Sequence, residues 1–287
     1  MKPVEILVAT KKDAEFIESC VVQYIDSQVP PTPITYINRC VKENGEVVGG
    51  VLAEIQYKNV LFVDVLWVKE DCRNKGYATA LMNDIEKQAI EAGCVLSHVS
   101  TYEFQALGLY EKLGYTVFGT MADCPEGYND YYLWKRLDST APTHQADGAQ
   151  KIEIHDATED DVDCICDGLG GYNNSKVPFD RYPRRKLDKC IKDGDEIVAG
   201  IVMYMYWNAM SIGDLWVKAE YRNKGYATAL MNAVEKDARD LGCTLSHLET
   251  FSPEMRNLCE KLGYTVYGTM ADYPEGHNRY YMSKKLQ

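Results

Sequence analysis

Hydrophobic residues recur along this chain with two periods, and the periods predict which segments are helices and which are strands. Residues 60–68 are apolar apart from Asp64, a run typical of a strand that is buried on both faces. The next apolar residues follow helical spacing, and Gly93 ends that pattern. We therefore expect a buried strand, a tight turn and then a helix whose inner face carries Ala78, Leu81, Met82, Ile85 and Ala89.

The segments around this unit complete a predicted sheet with helices on its faces. In chain order they are a strand at 4–8, a helix at 11–27, strands at 36–41, 46–57 and 95–101, a short helix at 104–113, and strands at 115–121 and 128–137. The Asn44-Gly45 pair is a strong hairpin signal between the second and third strands. The pattern predicts an α+β fold with a mixed, mostly antiparallel sheet flanked by helices.

The whole pattern occurs twice in the 287 residues. Residues 72–82 and 221–231 are identical at ten of eleven positions, and the two copies lie 149 residues apart. A period of this length is too long for a solenoid repeat and fits two tandem domains. Residues 139–150 lack hydrophobic periodicity and are rich in small and polar residues, so we predict a linker there. The predicted domains are 1–138 and 151–287.

Composition and charge narrow the functional classes. The net charge of −12 argues against nucleic-acid binding and fits a cationic substrate, although acidity also serves solubility alone. Ten cysteines without the spacing of a small secreted domain indicate a reducing, cytoplasmic location. No apolar run reaches membrane-spanning length, and the first residues lack a signal-peptide core. No metal site is predicted, since Cys164 and Cys166 point apart on a helix.

The repeated segment carries the chemistry that a phosphate group requires. A helix start offers free backbone N–H groups and the positive end of the helix dipole, and a glycine in the preceding turn lets a ligand approach closely. The glycine spacing excludes a Walker loop and the dinucleotide-binding fingerprint, while an ordinary tight strand–helix turn stays the alternative. The residues concerned are Arg73, Asn74, Lys75, Gly76, Tyr77 and Ala78, and Arg222, Asn223, Lys224, Gly225, Tyr226 and Ala227.

In each copy the motif Arg-x-x-Gly-x-Ala follows a strand that ends in Leu-Trp-Val, and a Gly-Tyr pair opens a later strand. This order of motifs resembles the GNAT superfamily of acyl-CoA N-acyltransferases over nearly all of each half. The resemblance implies two tandem GNAT-like domains, acetyl-CoA as the cofactor, acetyl transfer to an amine, and glycine segments that wrap the CoA diphosphate. It also implies that the pantetheine arm is held by the backbone of Leu66, Trp67 and Val68 and of Leu215, Trp216 and Val217.

Two residues of the first copy are candidates for catalysis. Tyr110 precedes Glu-Lys-Leu-Gly-Tyr and, by the resemblance, occupies the position of the general acid that protonates the departing thiolate. Asp64 interrupts an apolar strand, where desolvation would raise its pKa and suit it to take a proton from the amine. The alternative for Asp64 is a hydrogen-bonded structural acid.

The second copy departs at both positions. Cys259 stands where Tyr110 is expected, and Gly213 aligns with Asp64. Asp214 comes one residue later, and strand alternation predicts that it faces the opposite side of the sheet. A thiol can protonate a leaving group, but a small buried residue is the simpler interpretation of Cys259. We expect a catalytic first half and a second half that binds cofactor weakly or acts as a scaffold.

Three functions are compatible with the sequence. The first is an N-acetyltransferase acting on a small cationic amine, which the acidic charge favours. The second is a protein acetyltransferase for lysine or N-terminal amines, and the third is a non-catalytic acyl-CoA-binding module. The chain is expected to be a monomer with an internal pseudo-dimer or a homodimer; the acceptor and the acyl length stay open. His98 and His247 recur at matching strand ends. Both are expected in the core, and the alternative is that either faces the acceptor pocket.

Overall fold

A computed structural model describes residues 5–137, 152–178 and 185–286. The predicted linker, 139–150, lies outside the described residues. The first repeat consists of β1 (Leu7–Val8), α1 (Lys11–Gln28), β2 (Thr35–Glu43), β3 (Glu46–Gln56), β4 (Val60–Val68), a 3-10 turn (Glu70–Cys72), α2 (Tyr77–Glu91), β5 (Leu96–Tyr102), α3 (Leu107–Lys112), β6 (Thr116–Met121) and β7 (Asp130–Arg136). The predicted and observed bounds of these elements differ by a few residues at most.

The second repeat has the same order of elements, with one short additional strand. It consists of β8 (His155–Asp156), α4 (Glu159–Lys176), β9 (Arg185–Lys186), β10 (Lys189–Asp193), β11 (Glu196–Tyr206), β12 (Ala209–Val217), a 3-10 turn (Ala219–Tyr221), α5 (Tyr226–Asp240), β13 (Leu245–Thr250), α6 (Pro253–Lys261), β14 (Thr265–Met270) and β15 (Arg279–Lys285). No helix in the described ranges is both long enough and apolar enough to cross a membrane.

The strands form two mixed sheets, which confirms the predicted α+β class. Among the described residues, one sheet has the order β6-β7-β5-β4-β3-β2-β8, and the other has the order β1-β10-β11-β12-β13-β15-β14, with β9 beside β11. The pairs β4–β5 and β12–β13 are parallel, and the remaining pairs are antiparallel. The buried side chains of α2, among them Leu81, Met82 and Ile85, share one core cluster with the first sheet.

The first strand and helix of each repeat belong to the sheet of the other repeat. Strand β1 pairs with β10, with Leu7 opposite Cys190, and β8 pairs with β2, with His155 opposite Cys40. Helix α1 packs on β11 and β12, and α4 packs on β3 and β4. This reciprocal exchange resembles a domain-swapped dimer within one chain. We retain 1–138 and 151–287 as the proposed units of duplication, while each sheet takes β1–α1 or β8–α4 from the other unit.

A glycine beneath each exchanged helix makes the close packing possible. A Cβ at Gly200 would lie 2.1 Å from Cδ1 of Ile17, and a Cβ at Gly50 would lie 2.1 Å from Cδ1 of Ile165. Ile17 and Ile165 are both fully buried. The isoleucine therefore fills a notch that only glycine leaves open, and this contact fixes the height of the helix above the sheet.

The two sheets also meet along β6 and β14. A Cβ at Gly119 would lie 3.2 Å from the Cα of Gly268, so the two backbones approach closely there. Aromatic rings close the space around this contact, including Phe118, Tyr132, Tyr267 and Tyr281. His98 lies in this cluster, where its Nδ1 lies 3.0 Å from the Leu133 carbonyl and burial lowers its pKa to about 4. The expectation of a core histidine is confirmed for His98.

The exchange predicts an energetic coupling between residue 17 and the second sheet. Ile17→Ala should cost about 2–5 kcal/mol, and Gly200→Ala about 1–3 kcal/mol through overpacking. The double variant should be destabilised by less than the sum, because the alanine methyl group occupies space that the isoleucine has vacated. The coupling should reach about 1 kcal/mol or more in a denaturant-unfolding cycle.

The matched control is Ile17→Ala combined with Gly50→Ala. Residue 17 does not cover Gly50 in this fold, so these two changes should be additive. Coupling between residues 17 and 50, with additivity between 17 and 200, would show instead that each repeat folds onto its own sheet.

Candidate functional site

A cleft opens in each sheet where its two parallel strands separate. Strand β4 pairs with β5 only from Val60 to Val63, although both strands continue beyond this pairing. The cavity beside this opening has a volume of about 720 Å³. It is lined by residues 64–68 of β4, 72–74 and 76–79 at the start of α2, 100–102 of β5, 105, 106, 109, 110 and 112 around α3, and 169, 172 and 173 of α4.

The equivalent cavity in the second sheet has a volume of about 890 Å³. It is lined by the corresponding strand and helix starts, at 212–217, 221–223 and 225–228, and by residues 248–252, 254, 255, 257, 258 and 261. Val21, Tyr24 and Ile25 of α1 form part of its wall, with Tyr57 and Arg279. Each cavity is therefore built from both repeats.

The helix starts at the two cavities keep their backbone donors free. Helix α2 begins after Gly76, whose φ is 87°, and α5 begins after Gly225, whose φ is 83°; neither start has a side-chain cap or an acidic residue in its first turn. Helices α1 and α4 differ, because Thr10 and Thr158 cap them in capping boxes and acidic side chains follow. Uncapped N–H groups at the positive end of a helix dipole fit an anionic group such as the CoA diphosphate.

An arginine precedes each of these helix starts. Nε of Arg73 donates to the Val68 carbonyl at 3.2 Å, and Nε of Arg222 donates to the Val217 carbonyl at 3.1 Å. The guanidinium of Arg73 also stacks on Tyr172 of the exchanged helix α4, 4.7 Å from the ring centroid. Both arginines line their cavities, so their remaining N–H groups are available to an anionic ligand.

The predicted phosphate-binding segments, residues 73–78 and 222–227, are called the cradles. Their two lysines lie outside the cavity linings. Lys75 pairs with Glu43 at 3.2 Å, and the hydroxyl of Tyr77 also donates to Glu43. Nζ of Lys224 lies 4.6 Å from the centroid of the Tyr221 ring. Their role in cofactor binding stays a prediction, whereas Asn74, Gly76, Tyr77 and Ala78 and their counterparts Asn223, Gly225, Tyr226 and Ala227 line the cavities.

The predicted strand residues also line the cavities. Residues 66–68 and 215–217 lie on the walls beside the openings. The rings of Trp67 and Trp216 contact the exchanged helices: a Cβ at Gly168 would lie 2.3 Å from the Trp67 ring, and Trp216 packs edge-on to Phe16 at 5.8 Å. Only their backbone groups are therefore suited to hold a pantetheine arm.

Asp64 is the additional residue of a β-bulge in β4. Leu52 pairs with Val65 and Ala53 pairs with Val63, which leaves Asp64 without a register partner. Asp64 is an exposed residue on the cavity lining, and its pKa is raised, first because the surrounding protein partly desolvates the carboxylate and then by the charge of Glu54. A carboxylate with a raised pKa in a cleft has the properties of a general base.

Asp214 lines the second cavity, which corrects the expectation that it faces away. The bulge recurs in β12, where Val202 pairs with Asp214 and Met203 pairs with Ile212, so Gly213 is the additional residue. A bulge interrupts strand alternation and redirects the residue beside it, so both Gly213 and Asp214 line the cavity. Desolvation and, secondarily, Glu18 raise the pKa of Asp214 to about 6.

Tyr110 and Cys259 occupy equivalent helices, but only Tyr110 lines a cavity. Tyr110 is 4% exposed and lines the first cavity, and burial raises the pKa of its phenol well above the usual value. Cys259 is fully buried and is not among the residues lining the second cavity, and burial raises the pKa of its thiol to about 12. This placement agrees with the interpretation of Cys259 as a small core residue.

No local sequence pattern predicts that the exchanged helices form part of the cavity walls. Tyr172 and Asn173 lie at the first cavity although they follow it by about 100 residues, and Asn173 accepts a hydrogen bond from Gln105 at 2.8 Å. Thr79 and Thr228, one residue beyond the predicted cradle, were also missed. Among the described residues, no group of three or more His, Cys, Asp or Glu side chains could hold a metal ion.

Comparison with known proteins gives the family. The model of the acetyltransferase (GNAT) family matches residues 5–115 and 172–264, more than half of the chain. The chain belongs to the GNAT acetyltransferase family. It is therefore an acyltransferase, and the two matches agree with a tandem GNAT protein.

Individual relatives of this GNAT protein match between a third and a half of the chain. A blasticidin-S acetyltransferase from Streptomyces morookaense is 38% identical over 96 residues, which is 33% of this chain and 70% of the relative. An acetyltransferase from Agrobacterium fabrum is 30% identical over 95 residues, 33% of this chain and 69% of the relative. A crystal structure of an acetyltransferase from Bacillus cereus is 33% identical with a TM-score of 0.45, covering 47% of this chain and 99% of that chain.

Substitution of the cradle glycines tests whether this GNAT protein holds an anion there. Gly76→Ala with Gly225→Ala should weaken CoA binding by on the order of tenfold or more, because the methyl groups narrow the approach to the free N–H groups. Each substitution should also cost about 1 kcal/mol in stability, since alanine is strained at positive φ. Calorimetric titration with CoA and thermal unfolding measure the two effects.

The control is Gly93→Ala with Gly242→Ala at the other ends of the same helices. These glycines have φ values of 94° and 91° and nothing within 4 Å of an added Cβ, so the strain is matched. The control pair should bind CoA as the unchanged protein does. Equal weakening by both pairs would mean that strain, rather than the cradle, controls affinity.

Proposed function

We propose that the protein is an acetyl-CoA-dependent N-acetyltransferase that acetylates the primary amine of a small cationic acceptor. The observation that carries the proposal is the first cavity, which brings together the uncapped start of α2, the carboxylate of Asp64 and the phenol of Tyr110. An anion site, a base and an acid on one cleft are the parts that acyl transfer to an amine requires.

The donor proposal rests on the family and on the cradle. Solved structures of other acetyltransferases contain coenzyme A, in an aminoglycoside 6'-N-acetyltransferase, or acetyl-CoA, in a GNAT protein from Elizabethkingia anophelis. In this chain the N–H groups after Gly76 and the guanidinium of Arg73 would hold the diphosphate, and the backbone of residues 66–68 would hold the pantetheine arm. When bound, acetyl-CoA supplies an acetyl group activated as a thioester.

Asp64 is proposed as the base that prepares the acceptor. A primary ammonium group must lose a proton before its nitrogen can attack, and a carboxylate with a raised pKa is better matched to that task. Desolvation and Glu54 raise the pKa of Asp64, so its conjugate acid is weaker than that of an ordinary aspartate.

Tyr110 is proposed as the acid that protonates the departing sulfur. Burial raises the pKa of the phenol, so its oxygen keeps its proton until a strong base such as a thiolate forms beside it. Tyr110 also packs edge-on to Tyr115, with ring centroids 5.7 Å apart, and this contact fixes the plane of its ring. The second cavity lacks this acid, and we propose that it transfers more slowly or only binds cofactor.

Negative charge around the first cavity supports a cationic acceptor. After desolvation, the charge of Glu54 is the second cause of the raised pKa of Asp64. Burial raises the pKa of the Cys166 thiol on α4, and the charges of Asp64, Asp163 and Asp167 raise it further. Asp64 and Glu54 therefore give a negative charge to the side of the cleft that carries the proposed base. The curated relative named for blasticidin S also acts on a small molecule, according to its name.

Removal of the Tyr110 phenol should distinguish the catalytic contributions of the two repeats. We expect Tyr110→Phe to lower kcat by on the order of a hundredfold or more, because the leaving thiolate loses its proton donor, with CoA affinity unchanged. The matched variant Cys259→Ala should keep nearly full kcat. Thiol release measured over a panel of amines with acetyl-CoA checks both variants, and a large loss in Cys259→Ala with full activity in Tyr110→Phe would overturn the assignment.

The pH profile tests Asp64. Only its ionised form can accept a proton, so kcat should rise with pH through the pKa of Asp64, which lies above that of an ordinary aspartate. Asp64→Asn should remove this acid limb and lower kcat by on the order of 10²-fold or more. An unchanged acid limb in the asparagine variant would assign the proton acceptor to another group.

A further inference from the structure

The two cavities differ in charge at several aligned positions, including residues 249 and 279 of the second cavity. Arg279 and Glu249 line the second cavity, whereas the residues 149 positions earlier are Asp130 and Ser100. Asp130 is buried, with 3% of its surface exposed, and is not among the residues lining the first cavity. A cation therefore faces the second cavity at a place where the first cavity has no counterpart.

Arg279 is held rigidly at the start of β15. Its guanidinium stacks on Tyr273, 3.9 Å from the ring centroid, and its side chain is 14% exposed. Nη1 donates to Glu249 at 3.0 Å, and Nη2 donates to the hydroxyl of Tyr57 at 3.2 Å. Tyr57 comes from the first repeat, so the junction of the repeats positions this arginine.

The N–H groups of the Arg279 guanidinium outnumber the hydrogen-bond acceptors that contact them. A guanidinium has five N–H groups, and the contacts with Glu249 and Tyr57 use two of them. Its Nε is buried and has no hydrogen-bond partner among the described residues. Buried donors without partners are rare in folded proteins. The Nε itself is closed to solvent, so the N–H groups left unused on Nη1 and Nη2 are the donors that Arg279, as a lining residue, offers to a ligand.

The side chains around Arg279 leave its charge only partly balanced. Glu249 is 46% exposed, so solvent weakens its attraction for the guanidinium. His98 lies near Arg279, and burial lowers its pKa to about 4, which keeps it neutral at pH 7. The neighbouring groups Tyr57 and Tyr273 are phenols. A second carboxylate is therefore the group that best complements this corner of the cavity.

We propose that the second cavity binds amines that also carry a carboxylate, and that Arg279 is the residue that selects them. The planar guanidinium holds the carboxylate of the ligand through the N–H groups that Glu249 and Tyr57 leave free. Asp214 on the same cavity and the exposed carboxylate of Glu249 attract the amino group. The ligand class is thus an amino acid or a comparable zwitterion, distinct from the cationic amine proposed for the first cavity.

This inference rests on the proposed function only in taking the ligand to be an amine, and binding tests it separately from catalysis. The probes are phenylalanine with phenethylamine and lysine with cadaverine, since each pair differs by one carboxyl group. Calorimetry at fixed pH, with protein saturated with CoA, should show at least one amino acid binding more tightly than its partner by on the order of tenfold to a hundredfold. Phenylalanine methyl ester, which lacks the charge, should bind like phenethylamine.

Substitutions of Arg279 test whether this residue causes the preference for amines that carry a carboxylate. Arg279→Met should abolish it, and Arg279→Lys should reduce it, because lysine keeps the charge but loses the planar fork. Arg256→Met is the matched control, since Arg256 also stacks on a tyrosine, Tyr280, and pairs with a carboxylate, Glu260, outside the cavity lining. That control should keep the preference.

Two outcomes would overturn the inference: equal binding of both members of every pair by the unchanged protein, or a preference that survives in Arg279→Met. If Arg279→Met does not fold, Arg279→Lys decides, and an unchanged preference in that variant overturns the inference. Absence of acetylated product from any amine, with the binding preference intact, would contradict the proposed transferase function and leave this site standing.

Discussion

The packing of each exchanged helix into a glycine notch on the opposite sheet is the constraint on which both cavities depend. Ile17 enters the space above Gly200, and Ile165 enters the space above Gly50. These contacts hold α1 and α4 beside the separated strands, where they complete the cavity walls. The two repeats are therefore structurally interdependent, since the helix that covers each sheet comes from the other repeat.

We propose that the sites use backbone geometry for binding and side chains for selectivity. The starts of α2 and α5 leave N–H groups uncapped, and the left-handed glycine before each helix keeps the approach open. An anion bound there satisfies donors that threonine hydroxyl groups satisfy in α1 and α4. This arrangement depends little on neighbouring side chains, which explains how both copies keep the cradle while the surrounding chemistry differs.

The copies differ at the positions proposed to contact the acceptor and to transfer protons. Tyr110 lines the first cavity, whereas Cys259 is fully buried. The bulge carries Asp64 in one copy and places Asp214 beside a glycine in the other. Together with Arg279, these differences support a division of labour in which one duplicated frame presents two unlike acceptor sites.

Sequence reasoning succeeded for elements whose information is local. The apolar strand at 60–68 and the helix after Gly76 were readable because period and turn chemistry act over short stretches. Asp64 and Tyr110 lie on the cavity lining, and their catalytic roles stay predictions. It failed for Asp214, because strand alternation does not anticipate a bulge. The lysines of the cradle were also ambiguous, because only the fold places Glu43 beside Lys75.

The sequence by itself determined the duplication, the α+β class and the family, because repeats and periodic burial are written along the chain. The tertiary structure decided which helix covers which sheet, and thereby which residues face each cavity. The swapped and unswapped arrangements place nearly the same kinds of residues against each sheet, so periodicity does not distinguish them. Long-range contacts such as Ile17 with Gly200 and Tyr57 with Arg279 are what the folded chain adds.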